Sequence, residues 1–455
     1  MSITAPRFGW YGDDFTGATD TLAVLAQAGL RSMLFMGVPS AEALTAAGPL
    51  DAVGIAGAAR AMPPEAMRAE LAPVSRFFRQ IAPTVLHYKV CSTFDSAPHV
   101  GNIACAIQTL HPSVGNRWVP ILGGQPSLGR YCAFSNLFAA AGTGGAVYRI
   151  DRHPTMHRHP VTPMAEADLR VHLAQQGLQG ITALHYPLYE ADTGQNAVAL
   201  PSALSTLLGH GATAAPEVSD TPFVPTLLDL TSADQLASVG RLLWQQAQRA
   251  RLLAVGPSSV AQALIACWGT QTSQPAPALA PSPGPVFAWA GSLSPITAAQ
   301  VQAATSYQRI PVDAHRLTHD TDYAQATQRA ICAGLQQGHH VLAYTGPATG
   351  ASAPSSGASA AVAPASAALV ARVVQAQADN GTPPLRRIGI AGGDTSSHAV
   401  QALQLWGLSY QTTVCPGVTL SRAHSTDPSR DGLELMLKGG QMGGADLFER
   451  LLGAG

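Results

Sequence analysis

The chain has 455 residues, enough for two or three domains at roughly 150 residues each. Its 26 Lys and Arg nearly balance 27 Asp and Glu, for a net charge of -1, which leaves no basic face for nucleic acid and no polybasic patch for a membrane. With 46% hydrophobic and 12% charged residues it reads as globular; it lacks both a membrane-length apolar run and a secretory leader pattern, so a cytoplasmic protein is expected.

The first half alternates short apolar runs with amphipathic stretches. Strands are predicted at Arg7–Tyr11, Ser32–Met36, Ala52–Ile55, Thr84–Val90 and Arg117–Leu122. Helices are predicted at Gly17–Gly29, with Thr16 as N-cap and Gly29 as stop, and at Pro63–Ile81. Between 150 and 250 only Asp168–Gln176 and Ser232–Arg249 read as helices. QTSQPAPALAPSPGP is too rich in proline for a helix or central strand, so 271–285 is predicted to be a linker between domains at 1–270 and 286–455. After it come strands at Val286–Ala290, His339–Tyr344 and Arg387–Ala391, and helices at Pro295–Thr305, Ala367–Ala378 and Thr395–Trp406. The stretch 347–365 is low in complexity and predicted to be a loop. The fold class is α/β: two domains, each a mostly parallel sheet flanked by helices, with the ligand site expected in the interdomain cleft.

Six cysteines show neither C-x-x-C pairs nor zinc spacing with His, so reduced thiols are expected. His153, His157 and His159 are interrupted by Pro154 and Pro160 and do not read as a metal set. Only two of the 26 basic residues are lysines, Lys89 and Lys438. In a chain that otherwise writes arginine, these mark positions where a compact ammonium is required.

Chemistry concentrates where strands end. GWYGDDFTGATD follows the first strand and opens the first helix. A dinucleotide fold would place G-x-G-x-x-G there; this chain places Asp13 and Asp14, which suit a hydroxyl, proton abstraction or Mg²⁺. Capping the helix accounts for one carboxylate and leaves the other. HYKVCSTFDS crowds Lys89, Ser92, Thr93, Asp95 and Ser96 at a strand end, a set able to hold an anionic, hydroxylated small molecule. Ser292, Ser294 and Thr297 surround a helix start at Pro295, where backbone N–H groups favour anions. Gly392, Gly393, Asp394 and Thr395 join a strand to a helix as a phosphate loop would, although the chain has no Walker A. Lys438 precedes Gly439, Gly440, Gly443 and Gly444, a second loop suited to an anion. Cys415-Pro416-Gly417 reads as a turn beside a base or ribose.

In this order, GDDFTGATD, YKVCSTFDS, RHPVTPMAEADL, GSLSPITAAQ, AGGDTSSHAV, CPGV and LKGGQMGG resemble the four-carbon acid sugar kinase family over nearly the whole chain, and most closely its 3-oxo-tetronate branch. The resemblance implies an N-terminal sugar-acid domain, a C-terminal nucleotide domain, ATP with Mg²⁺, and phosphorylation of the acid's 4-hydroxyl. It matches Ser292, Gly392–Thr395, Gly440 and Gly443 to the family's ATP-contacting blocks, and Ser294, Thr297, Gly417 and Lys438 accompany them as expected ATP contacts. Asp394 stands where GGET is commoner than GGDT. The segment 121–139 departs from the branch's pattern, so Arg130 is not carried over. In the resulting mechanism Asp13 or Asp14 takes the hydroxyl proton, while Lys89 and Arg60 bind the carboxylate, assisted by Ser92, Thr93 and Asp95. The expected partners are ATP and a small sugar acid, with no nucleic acid or membrane; a homodimer is compatible with the family. The other readings are a D-threonate or erythronate kinase, an NAD-dependent dehydrogenase, and a nucleotide sensor without catalysis.

Overall fold

A computed structural model describes residues 5–142, 144–159, 161–190, 199–209, 223–269, 278–291, 294–345, 356–379, 385–439 and 442–453. The chain divides into two compact units, one of Met1–Met33 with Leu44–Ser273 and one of Leu34–Ala43 with Gln274–Gly455.

The first unit contains strands β1 (Phe8–Gly12), β2 (Ser32–Phe35, shared with the second unit), β3 (Ala52–Ala56), β4 (Val85–Lys89), β5 (Trp118–Leu122), β6 (Arg130–Ala133), β7 (Asn136–Ala140), β8 (Val147–Arg149), β9 (Thr182–Leu184), β10 (Val224–Leu228) and β11 (Leu252–Gly256). Seven of these form a parallel run in the order β3-β1-β4-β11-β5-β10-β9. Every residue of β1, β3, β4, β5 and β11 is buried, as expected of parallel strands covered on both faces. Register brings Gly12, Ala56, Lys89 and Gly256 into one row, so the loops after four strands leave the sheet at the same edge. Strands β6, β7 and β8 form a separate antiparallel sheet.

The second unit contains β12 (Val286–Ala290), β13 (Tyr307–Pro311), β14 (His340–Tyr344), β15 (Arg387–Ala391), β16 (Gly407–Cys415), β17 (Val418–His424) and β18 (Glu434–Lys438). They run in the order β13-β14-β12-β15-β18-β17-β16, parallel from β13 to β18 and antiparallel beyond. Tyr344, Ala290, Ala391 and Lys438 again share one row. The core between β12, β17, β18 and the last helix, Leu447–Leu451, is apolar, built on Val286, Ala288, Leu420, Met436 and Phe448.

Four expectations are corrected. Leu34 and Phe35 pair antiparallel with Leu408 and Gly407 of β16, so Leu34–Ala43 belongs to the second unit and not to a continuous 1–270 domain. Of the expected linker, 271–277 lie outside the described residues, while the rest packs on the second unit: Arg387 donates to Ala280 O, and Ser282 N donates to Leu452 O. The expected loop at 347–365 is helical from Ser356, in one helix to Asp379, because alanine-rich sequence favours helix and Pro364 lies on an exposed position. The first helix, Phe15–Gln27, is capped by Asp14 and not Thr16. Among the described residues no helix is long and apolar enough to cross a membrane.

Candidate functional site

At the first unit's sheet edge, the sequence after β1 folds into a tight exchange of backbone and side-chain hydrogen bonds. Asp13 N donates to Lys89 O at 3.0 Å, and Arg60 N donates to Asp13 O at 3.1 Å, which ties the loops after β1, β3 and β4 together. The two neighbouring aspartates then divide. Asp14 accepts from Gly17 N at 2.7 Å and Thr16 Oγ1 at 2.9 Å, capping the helix, and pairs with Arg60. Asp13 is 4% exposed; it accepts a backbone N–H from Cys91, yet its Oδ1 is buried with no hydrogen-bond partner. Burial raises the pKa of Asp13, and the nearby charges of Arg60 and Lys89 offset only part of that rise.

Arg60 also reaches Asp95 at 3.6 Å, and Thr93 Oγ1 donates to Asp95 Oδ1. Burial opposes the charge on Asp95, but Arg60 and Thr93 outweigh it and hold its pKa low. Lys89, 3% exposed, donates from Nζ to Val90 O at 2.8 Å. Ser92 is half-buried in the turn before Thr93. Of the residues expected to bind substrate, Arg60, Lys89, Thr93 and Asp95 therefore gather around Asp13 and Asp14. The fit is close at Gly17, where a Cβ would lie 2.5 Å from Asp14 Oδ1 and 2.6 Å from Lys89 Nζ. Gly17→Ala is expected to wedge these groups apart and cut turnover by up to about 10²-fold, with nucleotide affinity unchanged. Wild-type kinetics in that variant would show that the spacing is immaterial.

Two supports of this edge go beyond the sequence reading, which named Ser96 and left Arg130 aside. Phe94, which precedes Asp95, has φ 55, and its carbonyl is held by Ser96 Oγ at 2.8 Å and His172 Nε2 at 3.2 Å. Gln176 Nε2 donates to Ser96 Oγ at 2.8 Å, so the helix Leu169–Gln175 and its cap fix a left-handed residue beside the site. Arg130 on β6 is within electrostatic reach of Cys91 and Asp95, and its Nε is buried without a partner. A half-buried arginine on a hairpin carries no periodic signal that sequence reasoning could use. The three histidines are held locally: Nδ1 of His153 accepts from Thr155, that of His159 accepts from Thr162, and His157 accepts from Arg158.

At the second unit's edge, Ser294 caps the helix Pro295–Ala303, accepting from Thr297 N at 3.1 Å. Lys438, 1% exposed at the end of β18, donates to Thr297 Oγ1 at 3.0 Å and Gln300 Oε1 at 2.7 Å. Desolvation lowers its pKa to about 8. Gly392 N donates to Lys438 O at 2.9 Å, and Gly393 opens the helix Gly393–Ala402 with Asp394 exposed and Thr395 buried in its first turn. Gly443 lies against Gln300, which the sequence reading passed over although it stands one turn beyond Thr297 on the same helix face. Gly417, expected beside the nucleotide, forms the two-residue Pro416-Gly417 turn between β16 and β17, with φ 76, and turn geometry alone accounts for it. Ser292 and Gly440 lie outside the described residues.

Residues 8–264 match a family model described as a sugar-binding N-terminal domain, and residues 287–448 match a nucleotide-binding C-terminal domain. The chain belongs to the four-carbon acid sugar kinase family. It is 37% identical to a 3-oxo-isoapionate kinase of Paraburkholderia graminis, in an alignment covering 96% of this chain and 92% of that one. It is 31% identical to a 3-oxo-tetronate kinase of Pseudomonas fluorescens, covering 100% and 98%. A Haemophilus influenzae crystal structure shares the fold at TM-score 0.69 and 23% identity, covering 98% of this chain and 99% of that one. So does a Salmonella typhimurium LT2 structure carrying a provisional tRNA-synthase label, at TM-score 0.77, 23% identity and coverage of 97% and 98%. At that identity the two structures speak to the fold alone. Asp13 and Asp14 fall within the residues matched by the sugar-binding domain model, and Lys438 with the loop at Gly392 within those matched by the nucleotide-binding domain model.

Proposed function

We propose that this family member is an ATP-dependent kinase that phosphorylates a hydroxyl of a 3-oxo sugar acid. The observation that carries the reading is the unpartnered, buried Oδ1 of Asp13 among Arg60, Lys89 and Asp95. A buried acceptor without a partner is costly unless a ligand completes it, and a substrate hydroxyl is the group that both donates to a carboxylate and gives up its proton in phosphoryl transfer. Asp13 is thus the base, and Asp14 holds the helix and Arg60. Arg60 and Lys89 neutralise the acid's carboxylate, while Ser92, Thr93 and Asp95 contact its hydroxyls. In the nucleotide-binding domain, Lys438 sets a positive charge beside Gly392–Thr395, where helix N–H groups face the phosphates. Ser294, Thr297 and Gly443 complete that lining in this reading, and the family resemblance adds Ser292 and Gly440.

The residues fit Mg²⁺ in the way a nucleotide site does, with one side-chain carboxylate and the remaining ligands from phosphate and water. Asp394, exposed in the first helical turn, would be that carboxylate. When bound, Mg²⁺ would neutralise charge on the triphosphate oxygens.

Among acceptors, 3-oxo-isoapionate is favoured over 3-oxo-tetronate. The relative named for 3-oxo-isoapionate is the more similar of the two, and the segment 121–139, which departs from the tetronate pattern, includes β6 and Arg130 near Asp95. The test is ATP consumption with 3-oxo-isoapionate, 3-oxo-tetronate, D-threonate and erythronate, each with and without EDTA. Turnover is expected with the 3-oxo acids, fastest with 3-oxo-isoapionate, and is expected to stop on chelation. Consumption of ATP with none of the four would refute the kinase reading.

A further inference from the structure

Gln300 is fully buried and makes more hydrogen bonds than a helix residue needs for packing. Its Nε2 donates to three consecutive carbonyls of the tail loop, Met442 at 3.0 Å, Gly443 at 3.1 Å and Gly444 at 3.0 Å. Its Oε1 accepts from Lys438 Nζ at 2.7 Å. The partners fix the amide's orientation, since a flip would set NH₂ against an ammonium and an oxygen against three carbonyls. Gly443, at φ 82, allows the approach: a Cβ there would lie 3.2 Å from Nε2 and 3.1 Å from Leu447.

We propose that Gln300 is the positioning residue of the nucleotide site, one amide that sets the tail loop and the Lys438 ammonium together for the donor's phosphates. This rests on the kinase reading above. The physical reason is charge. Carbonyl oxygens repel phosphate, and Gln300 draws three of them onto its own N–H groups. Its oxygen meanwhile anchors the ammonium as a neutral acceptor that does not itself cancel the charge. A carboxylate in this place would bind the ammonium more tightly and release the loop. Other groups facing Lys438 include the Thr297 hydroxyl and, from β16, the Cys415 thiol; Asp446, which caps the last helix, and Arg450 within it act on Cys415 in turn.

The test uses the full chain with Q300E and Q300M, measuring ADP and sugar-acid affinity by calorimetry from pH 6.5 to 9.5, alongside thermal melts. Both variants should bind ADP on the order of 10- to 100-fold more weakly, with acid affinity within about twofold of wild type. In wild type, ADP affinity should fall as pH rises past about 8, when Lys438 loses its proton. In Q300E that fall should move to higher pH, because the new carboxylate holds the proton on Lys438. A purely structural role would lower melting temperature without separating the two ligands or moving the pH limb. Equal loss of both ligands, or wild-type ADP affinity in both variants, would overturn the proposal. If either variant does not fold, Q300N keeps the amide one methylene short and should show the same split; wild-type binding there would also overturn it. Wild-type protein that binds no ADP would instead bring down the kinase reading.

Discussion

Asp13→Asn is expected to lower kcat by about 10²-fold or more, with nucleotide affinity unchanged. Asparagine keeps the shape and the contact with the Cys91 N–H but cannot take a proton. Asp14→Asn should be far milder, because asparagine caps helices as well as aspartate and only the charge toward Arg60 is lost. Stability should move the other way from activity. Burial raises the Asp13 pKa in the folded protein above its unfolded value. The folded state therefore binds more protons between those two values, and the ionised carboxylate costs stability at every pH above them. D13N should melt at or above the wild-type temperature near neutral pH. Loss of kcat with a raised or equal melting temperature separates chemistry from unfolding; wild-type kcat in D13N would remove Asp13 as the base. The same shift places the acidic limb of the pH profile above that of an ordinary aspartate, with activity present above the limb and lost as pH falls through it.

The second large effect is at Lys438. Lys438→Met should weaken nucleotide binding by roughly 10- to 150-fold, the equivalent of about 1.5–3 kcal/mol for a hydrogen bond to a charged group. Acid affinity should stay as it is. Stability should again rise, because the ammonium is buried and its pKa is lowered to about 8. Below pH 8 the folded protein carries the full cost of that charge. Between about 8 and the unfolded value of 10.5 the unfolded state binds more protons, so wild-type stability should climb with pH in the window where nucleotide affinity declines. K438M should abolish both trends. A variant that loses stability and keeps its nucleotide would contradict the assignment.

The strand ends were legible because parallel strands buried on both faces read as short apolar runs, and the residues just beyond them stand out. Asp13, Lys89, Gly392 and Lys438 were singled out in this way, and the structure sets the first two at one sheet edge and the last two at another. The two lysines proved informative because the chain uses arginine elsewhere. Less was visible where structure depends on distant partners. Nothing local in Leu34–Phe35 announces its pairing with β16, more than 370 residues later. β8 has no buried residue, so its Val147, Tyr148 and Arg149 show no alternation. The first ten residues of the helix Ser356–Asp379 looked like a loop because Ser, Gly and Pro are mixed with alanine there, although alanine itself favours helix, whereas its later part, Ala367–Ala378, read as helix. The split between Asp13 and Asp14 was posed correctly but not resolved, since the sequence cannot say which neighbour turns back to cap its own helix. Gln300 shows how far polar residues escape notice: on sequence it is one more exposed-looking helix position, and only the fold brings the tail loop to it.

The division of labour between the two units is tested most directly by hydrogen–deuterium exchange of the intact chain with ADP alone and with 3-oxo sugar acid alone. The nucleotide should slow exchange in 294–300, 391–396 and 438–444, and the acid should slow it in 12–18, 57–62 and 89–96. Protection of the Asp13 and Lys89 segments by ADP alone, with the Lys438 segment unchanged, would contradict it.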